Sequence, residues 1–187
     1  MYCYLLYYSV IFVVSKTTHQ PVAIYRSNEV VPVVLADRII DLSQHYNNAL
    51  VLIESNNFGN VVLNELRHQG FYNIWQENGR DWITTIKSKT EMFENLKDMI
   101  QRGYLRTLDN ITYSELRALQ VNEKGHIQLP EQMDSHGDNA VALSLAYMCL
   151  HKVRLKKKAF LPDFVKAKRT KRITTTSGIS AGSKRRY

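Results

Sequence analysis

Glu54 closes a short apolar run, residues 49–53, and is followed at once by the polar stretch Ser55-Asn56-Asn57-Phe58-Gly59-Asn60. A continuous apolar run of this length, bounded by polar residues, predicts a strand covered on both faces. An acid at its carboxyl end stands where open α/β sheets hold their ligands. Burying a carboxylate there is costly without a partner, and a metal ion is one such partner. The plainer alternative is an acid that caps the next helix or pairs with a surface cation. A second group of candidates is Asp134-Ser135-His136-Gly137-Asp138, just ahead of an Ala/Leu-rich segment. Asp138 suits an N-cap or first-turn position, where a carboxylate meets the helix dipole. Facing Glu54, it would also complete a hard oxygen donor set for Mg²⁺ or Mn²⁺. Asp134 is the less favoured ligand of the two aspartates, and His136 is at most an outer ligand or proton carrier.

Carboxylates so placed suit phosphodiester cleavage. That reaction needs an activated water and a stabilised leaving oxygen, and two metal ions about 3.5–4 Å apart supply both. Such a site normally takes at least three acids, one of them on the first strand of the sheet, yet residues 1–14 contain none.

The elements that must position these acids follow from local pattern. Residues 8–14 and 21–26 are expected to form a hairpin around Lys16-Thr17-Thr18-His19-Gln20. Residues 32–46 have apolar positions at near-helical spacing, and Asn47-Asn48 breaks them. A helix is expected over 61–69, stopped by Gly70, with a short strand over 71–75 and an irregular polar stretch over 77–87. Ser88 or Thr90 is expected to cap a helix that runs to Arg102 and stops at Gly103. A weak strand is expected over 104–108, a helical start over 112–119, a turn-rich hairpin over 123–132, and an apolar helix over 138–152. Antiparallel strands followed by strand–helix crossovers predict an α/β fold: a mixed sheet of ribonuclease H-like order with flanking helices.

Charge divides the chain. Residues 151–187 carry 13 Lys/Arg against the single acid Asp163, whereas residues 1–150 carry 12 Lys/Arg against 16 Asp/Glu. A domain over 1–152 and a flexible basic tail over 153–187 are therefore expected. Lys156, Lys157, Lys158, Lys168, Arg169, Lys171 and Arg172 could follow a phosphate backbone or meet an acidic protein. Near the acids, Arg80, Lys87 and Lys89 are the candidates for contact with a phosphate backbone, while Trp75 and Trp82 suit packing better than base stacking. Cys3 and Cys149 lack metal-type spacing and read as reduced, buried thiols. The apolar opening, residues 1–14, lacks a basic leader and a cleavage site and is too short for a helix to cross about 30 Å of hydrocarbon, so no secretion and no membrane contact are expected.

Three motifs carry a family resemblance. Ile53-Glu54-Ser55-Asn56-Asn57-Phe58-Gly59, followed by Val61, Val62 and Leu66, resembles the acid–Asn–Gly signature of the terminase large subunit nuclease domain. Trp82-Ile83-Thr84-Thr85 and Lys89 resemble that family's Trp–Thr–Ser–Lys stretch. His136-Gly137-Asp138, running into Ala140-Val141-Ala142-Leu143-Ser144-Leu145-Ala146, is similar to its His-Asp-Asp and alanine–leucine helix. The resemblance spans residues 8–150. It implies a ribonuclease H-like fold, a two-metal Mg²⁺ or Mn²⁺ site, and cutting of concatemeric double-stranded viral DNA in the host cytoplasm. The implied partners are the portal protein, the small terminase subunit and a separate ATPase half.

Carried over by position, Glu54 matches the second metal-binding acid and Asp138 the last acid of the third motif. Gly137 stands where many members have another Asp. Tyr8-Ser9-Val10-Ile11 resembles the part just after the first catalytic Asp, so that Asp would fall before Met1 or where Tyr or Leu now stands. No Gly-rich Lys-Ser/Thr phosphate loop occurs. A truncated or split gene product is expected, with impaired cutting on its own. Two other readings compete: a non-catalytic module that docks on DNA or the portal, and another ribonuclease H-like nuclease such as a junction resolvase.

Overall fold

The computed structural model describes residues 8–105, 109–123, 125, 127, 128, 130 and 137–159, with side chains described except at Asn57 and beyond Val153. The chain divides into two units, Met1–Val153 and Arg154–Tyr187, and the description below concerns the first.

The opening hairpin forms as the alternating β-branched and aromatic residues predict. Strand β1, Ser9–Val14, pairs antiparallel with β2, Pro21–Ser27, in the register Ser9↔Ser27 to Val14↔Pro21, with an irregularity between Val13 and Val14. Its turn is closed by bonds from Ser15 N–H to the Gln20 carbonyl (2.9 Å) and from His19 N–H to the Ser15 carbonyl (2.8 Å). Helix α1, Pro32–His45, starts with proline in its first turn and buries Leu35, Ala36, Ile39 and Ser43 as one stripe. Asn47 and Asn48, with φ of 60° and 53°, end it. Helix α2, Asn57–His68, begins four residues before the expected Val61, inside the polar stretch, because its amphipathic pattern starts later than its backbone hydrogen bonds do.

Residues 49–55 are extended and pair in parallel at two points, Val51↔Ile74 and Glu54↔Trp82. The bonds are Val51 N–H to the Asn73 carbonyl (3.0 Å), Trp75 N–H to the Val51 carbonyl (2.7 Å) and Ser55 N–H to the Trp82 carbonyl (2.7 Å). The two short strands predicted here are thus single bridges rather than full ladders. Between the bridge partners Ile74 and Trp82 lies an unpredicted tight turn: Asn78 and Gly79 take φ of 54° and 75°, and Glu77 and Arg80 exchange backbone bonds of 2.9 and 3.1 Å. The Asn-Gly pair favours such turns because both residues tolerate positive φ.

Helix α3, Ile86–Gln101, is capped by Thr85, not by Ser88 or Thr90. Ser88 sits three residues inside instead: its N–H donates to Thr85 Oγ1 at 3.2 Å, and its Oγ accepts from Thr85 N–H at 2.7 Å. Thr85→Ala removes this reciprocal box and is expected to cost about 1 kcal/mol in urea unfolding. Helix α4, Asn110–Ala118, follows the cap Asp109; the hairpin of β3, Gln120–Val121, and β4, Ile127–Gln128, starts three residues before the expected position. Helix α5, Asp138–Ala159, runs further than predicted. The expected strand over 104–108 lies partly outside the described residues, and its first two residues are not in a strand.

Packing makes three layers. Ile11, Val51, Ile53 and Ile74 pack with α1 and α2 in one cluster around Leu35, Ile39, Val62 and Leu66. Phe12, Val10 and Val14 pack with α3 and α5 around Phe93, Leu96, Leu143 and Tyr147. Leu52 joins a third cluster with Trp82, Met92, Val141, Leu145 and Met148. Successive residues of an extended chain point to opposite faces. The alternation Val51/Leu52/Ile53 therefore shows a chain covered on both sides, as its unbroken apolar run predicts. Trp75 and Trp82 are buried, as packing roles require, and Cys149 is a buried free thiol pushed up to about 11 by burial. Among the described residues no helix is long and apolar enough to cross a membrane.

Candidate functional site

Glu54 is half-buried at the end of the extended run, bridged to Trp82. The chain then turns sharply into α2. An ideal Cβ placed on Gly59 would lie 1.8 Å from the Glu54 carbonyl oxygen and 3.0 Å from its carbon, so only glycine allows the first turn of α2 to sit against the backbone that carries the acid. Asn60 Nδ2 donates to the Ser55 carbonyl at 3.3 Å and ties the same corner. The spacing from acid to glycine thus reflects a close backbone approach that fixes where Glu54 stands.

Asp138 is the first residue of α5, and its Oδ2 accepts from Tyr8 N–H at 2.9 Å, joining the helix start to the entry of β1. Gly137 before it has φ of 81°, a conformation that favours glycine. Around this first turn lies a polar network that sequence pattern did not reveal. Glu115, 1% exposed on α4, accepts from Asn139 Nδ2 at 2.7 Å and from Ala140 N–H at 2.9 Å. Arg26 on β2 donates through Nε to Asn139 Oδ1 and through Nη2 to Thr112 Oγ1 at 2.8 Å, and pairs with Asp109 at 2.6 Å.

Two aspartates show how charge is distributed around this framework. Burial alone would raise Asp109, but hydrogen bonds from the Thr112 side chain, Arg26 and the Thr112 N–H outweigh it and hold the carboxyl below its ordinary 3.8. Asp81 is lowered chiefly by the Arg67 guanidinium, bonded at 2.5 Å. A carboxyl with a depressed folded-state value stabilises the fold above its unfolded value and loses that contribution as pH falls through the folded one. Stability is therefore expected to decline below pH 3.8. Asp81→Asn and Asp109→Asn should each flatten that acid limb by about 0.5–1 kcal/mol in denaturation measured against pH.

The basic candidates lie along the segment that follows the Trp82 bridge or just precedes it. Arg80 is exposed at the Asn78-Gly79 turn; Lys87 is exposed and Lys89 half-buried in the first turn of α3, which carries no acid. Lys152 pairs with Glu77 (3.1 Å) and Glu91 (3.3 Å), and its ammonium lies 5.8 Å from the centre of the Trp82 ring. Asp134, His136, Cys3, Lys168, Arg169, Lys171, Arg172 and the expected tail beyond Ala159 lie outside the described residues. Lys156, Lys157 and Lys158 fall on the last part of α5. Among the described residues no group of three or more His, Cys, Asp and Glu side chains could hold a metal ion.

Residues 9–150 match the model of the terminase RNaseH-like domain. The chain belongs to this terminase family. The match covers the hairpin, the Glu54 corner and the start of α5. The terminase nuclease domain described here is also similar in structure to the large terminase nuclease from thermophilic phage G20c. With bound magnesium that protein is 22% identical, with 79% of this chain and 77% of that one covered at a TM-score of 0.66. With bound cobalt the figures are 24%, 75%, 74% and 0.64, and with bound zinc 24%, 76%, 74% and 0.59. A search of the curated proteins found no match. The family match gives the ribonuclease H-like fold that the element order predicts, and the structural likeness shows the same fold in that nuclease.

Two structural features near the candidate residues of the terminase domain were missed from sequence. The Asn78-Gly79 turn carried a legible signal in the dipeptide itself. Glu115 carried none: its partners Asn139 and Ala140 lie 24 and 25 residues away in the chain.

Proposed function

We propose that this domain is a metal-dependent endonuclease acting on double-stranded DNA, with the Glu54 and Asp138 carboxylates as ligands of one divalent ion. The observation that carries the reading is the alternation along residues 51–54. Leu52 packs into the cluster that holds Leu145 and Met148 of α5, and Glu54, two residues on along the extended chain, falls on the same face. The helix on that face begins with Asp138. Two carboxylates form a hard oxygen donor set that fits Mg²⁺ or Mn²⁺, with water completing the shell. Zn²⁺ sites draw mainly on His and Cys. The bound ion would supply Lewis-acid polarisation of the scissile phosphate and a more acidic water.

The chain's own residues do the rest. Glu54, fixed by the Gly59 corner, and Asp138, fixed by the first turn of α5, hold the ion. Lys87 and Lys89 stand in a helix first turn where cations are disfavoured by the dipole. Their place there is better explained by a bound phosphate backbone, which the same helix end attracts. Arg80, exposed at the preceding turn, would add a further phosphate contact, and Asp134 is a further donor of the same chemistry as the two carboxylates. The basic residues from Lys156 onward would hold the duplex, with packaging partners such as the portal as the context of the domain.

The test is cleavage of supercoiled and linear plasmid by the purified chain in Mn²⁺ and in Mg²⁺. Nicking and linearisation that stop on adding a chelator are expected. Intact plasmid at all metal concentrations, with salt-sensitive DNA retention, would replace this reading with a non-catalytic docking module. Preference for branched over linear DNA would point to a resolvase instead.

A further inference from the structure

We propose that Glu115 is a positioning residue for the Asp138 carboxylate, acting by bracketing the first turn of α5. The inference rests on the reading of Asp138 as a metal ligand. A helix leaves its first N–H groups without intrahelical partners, and a side chain on the residue before the helix usually satisfies one of them. Here the residue before α5 is Gly137, which has no side chain, although its carbonyl accepts from Val141 N–H at 2.9 Å. The acceptor comes from another helix. Glu115 takes the Ala140 N–H at 2.9 Å with one oxygen and Asn139 Nδ2 at 2.7 Å with the other. Asn139 is held from its other side by Arg26, which is itself anchored on Thr112 and Asp109. The two residues that follow Asp138 are thus clamped between β2 and α4.

The placement of this carboxylate is not explained by packing alone. A buried acid costs several kcal/mol unless its oxygens are satisfied, and an apolar residue of similar size is often as stabilising. What an apolar side chain cannot do is hold two successive residues of a helix start in one orientation. Glu115 bonds to Asn139 and Ala140, while Asp138 Oδ2 accepts from Tyr8 N–H. Glu115 therefore acts through the backbone, by fixing the direction in which the helix presents its first side chain.

Titration of Mn²⁺ into the full chain, followed by calorimetry and by the loss of the free-ion electron paramagnetic signal, tests this well below the melting temperature of every variant. Asp138→Asn is expected to abolish binding; unchanged binding in that variant, or none in the unaltered chain, would overturn the metal-site reading itself. Glu115→Gln presents one donor to a donor and is expected to weaken Mn²⁺ binding about tenfold, the effect typical of groups that orient a ligand. Its amide exchange at Ala140 should rise at the same time. An unchanged Mn²⁺ affinity with faster exchange at Ala140 would overturn the positioning role and leave Glu115 as a cap only. Should Glu115→Gln not fold, Asn139→Ala removes the other half of the clamp, with the same expected weakening and the same overturning result.

Discussion

Glu54→Ala is expected to lower metal-dependent cleavage by at least about 10²-fold. If Glu54 holds the ion as proposed, losing its charge removes several kcal/mol of transition-state stabilisation, and each 1.4 kcal/mol or so is about a factor of ten in rate. The same substitution should leave the fold intact. The pairing of this corner runs through the backbone, from Ser55 N–H to the Trp82 carbonyl, and needs no Glu54 side chain. Half-buried as it is, the side chain contributes little packing, so the melting temperature should move by no more than about 2 °C, as for most substitutions outside a core. Plasmid cleavage by the variant within threefold of the unaltered chain would remove Glu54 from the reaction. Glu54→Gln refines the result: it keeps the shape and loses the charge, so a loss equal to that of alanine assigns the effect to charge on the ion rather than to contact.

Gly59→Ala should be the most destabilising conservative change in the domain. In an unconstrained helix, alanine in place of glycine gains about 1 kcal/mol. Here the new Cβ would stand 1.8 Å from the Glu54 carbonyl oxygen, where ordinary contact begins at 3.4 Å. The obstacle is backbone, not the end of a flexible side chain, and that backbone is bridged to Trp82, itself 3% exposed in the third cluster. Overpacking of a well-filled site costs about 1–3 kcal/mol or more, which reverses the helix gain. A net loss of about 2–3 kcal/mol is expected, or a fall in melting temperature of roughly 5–10 °C for a chain of this size. Cleavage should fall as well, since the residue pushed aside is the one that carries the acid. Thermal unfolding of this variant beside Gly70→Ala separates the two causes. Gly70 has φ of 78° and open space around its Cβ position, so its substitution costs only backbone strain. A stabilised Gly59→Ala would show that the first turn of α2 does not press on the Glu54 backbone.

Local pattern was enough for the hairpin, for α1, for the stop at Gly70 and for the two-sided packing of residues 51–53. Each depends on neighbours in the chain: alternation, a proline or glycine at the right offset, an asparagine pair that accepts positive φ. Glu54 was legible for the same reason, as an acid abruptly ending an apolar run. Asp138 was legible as the opening of an apolar helix. The start of α2 and the cap of α3 were misplaced because hydrophobic periodicity marks where a helix begins to bury its face, not where its hydrogen bonds begin. At α3 the reciprocal Thr85/Ser88 pair lies before the first buried residue, Met92.

By itself, then, the order of residues determined the α/β class, the family motifs and the two carboxylates worth considering. Tertiary structure alone decided which face Glu54 shares, through the split of Val51 and Ile53 to α1 and α2 and of Leu52 to α5. It alone decided that Gly59 is a contact residue, and that the start of α5 is held by Glu115 and Arg26. The physical reason is range. Strand alternation, turns and caps act over a few residues, whereas a buried acid is satisfied by whatever donors the packed layers bring to it, and Arg26 meets Asn139 across 113 residues of chain.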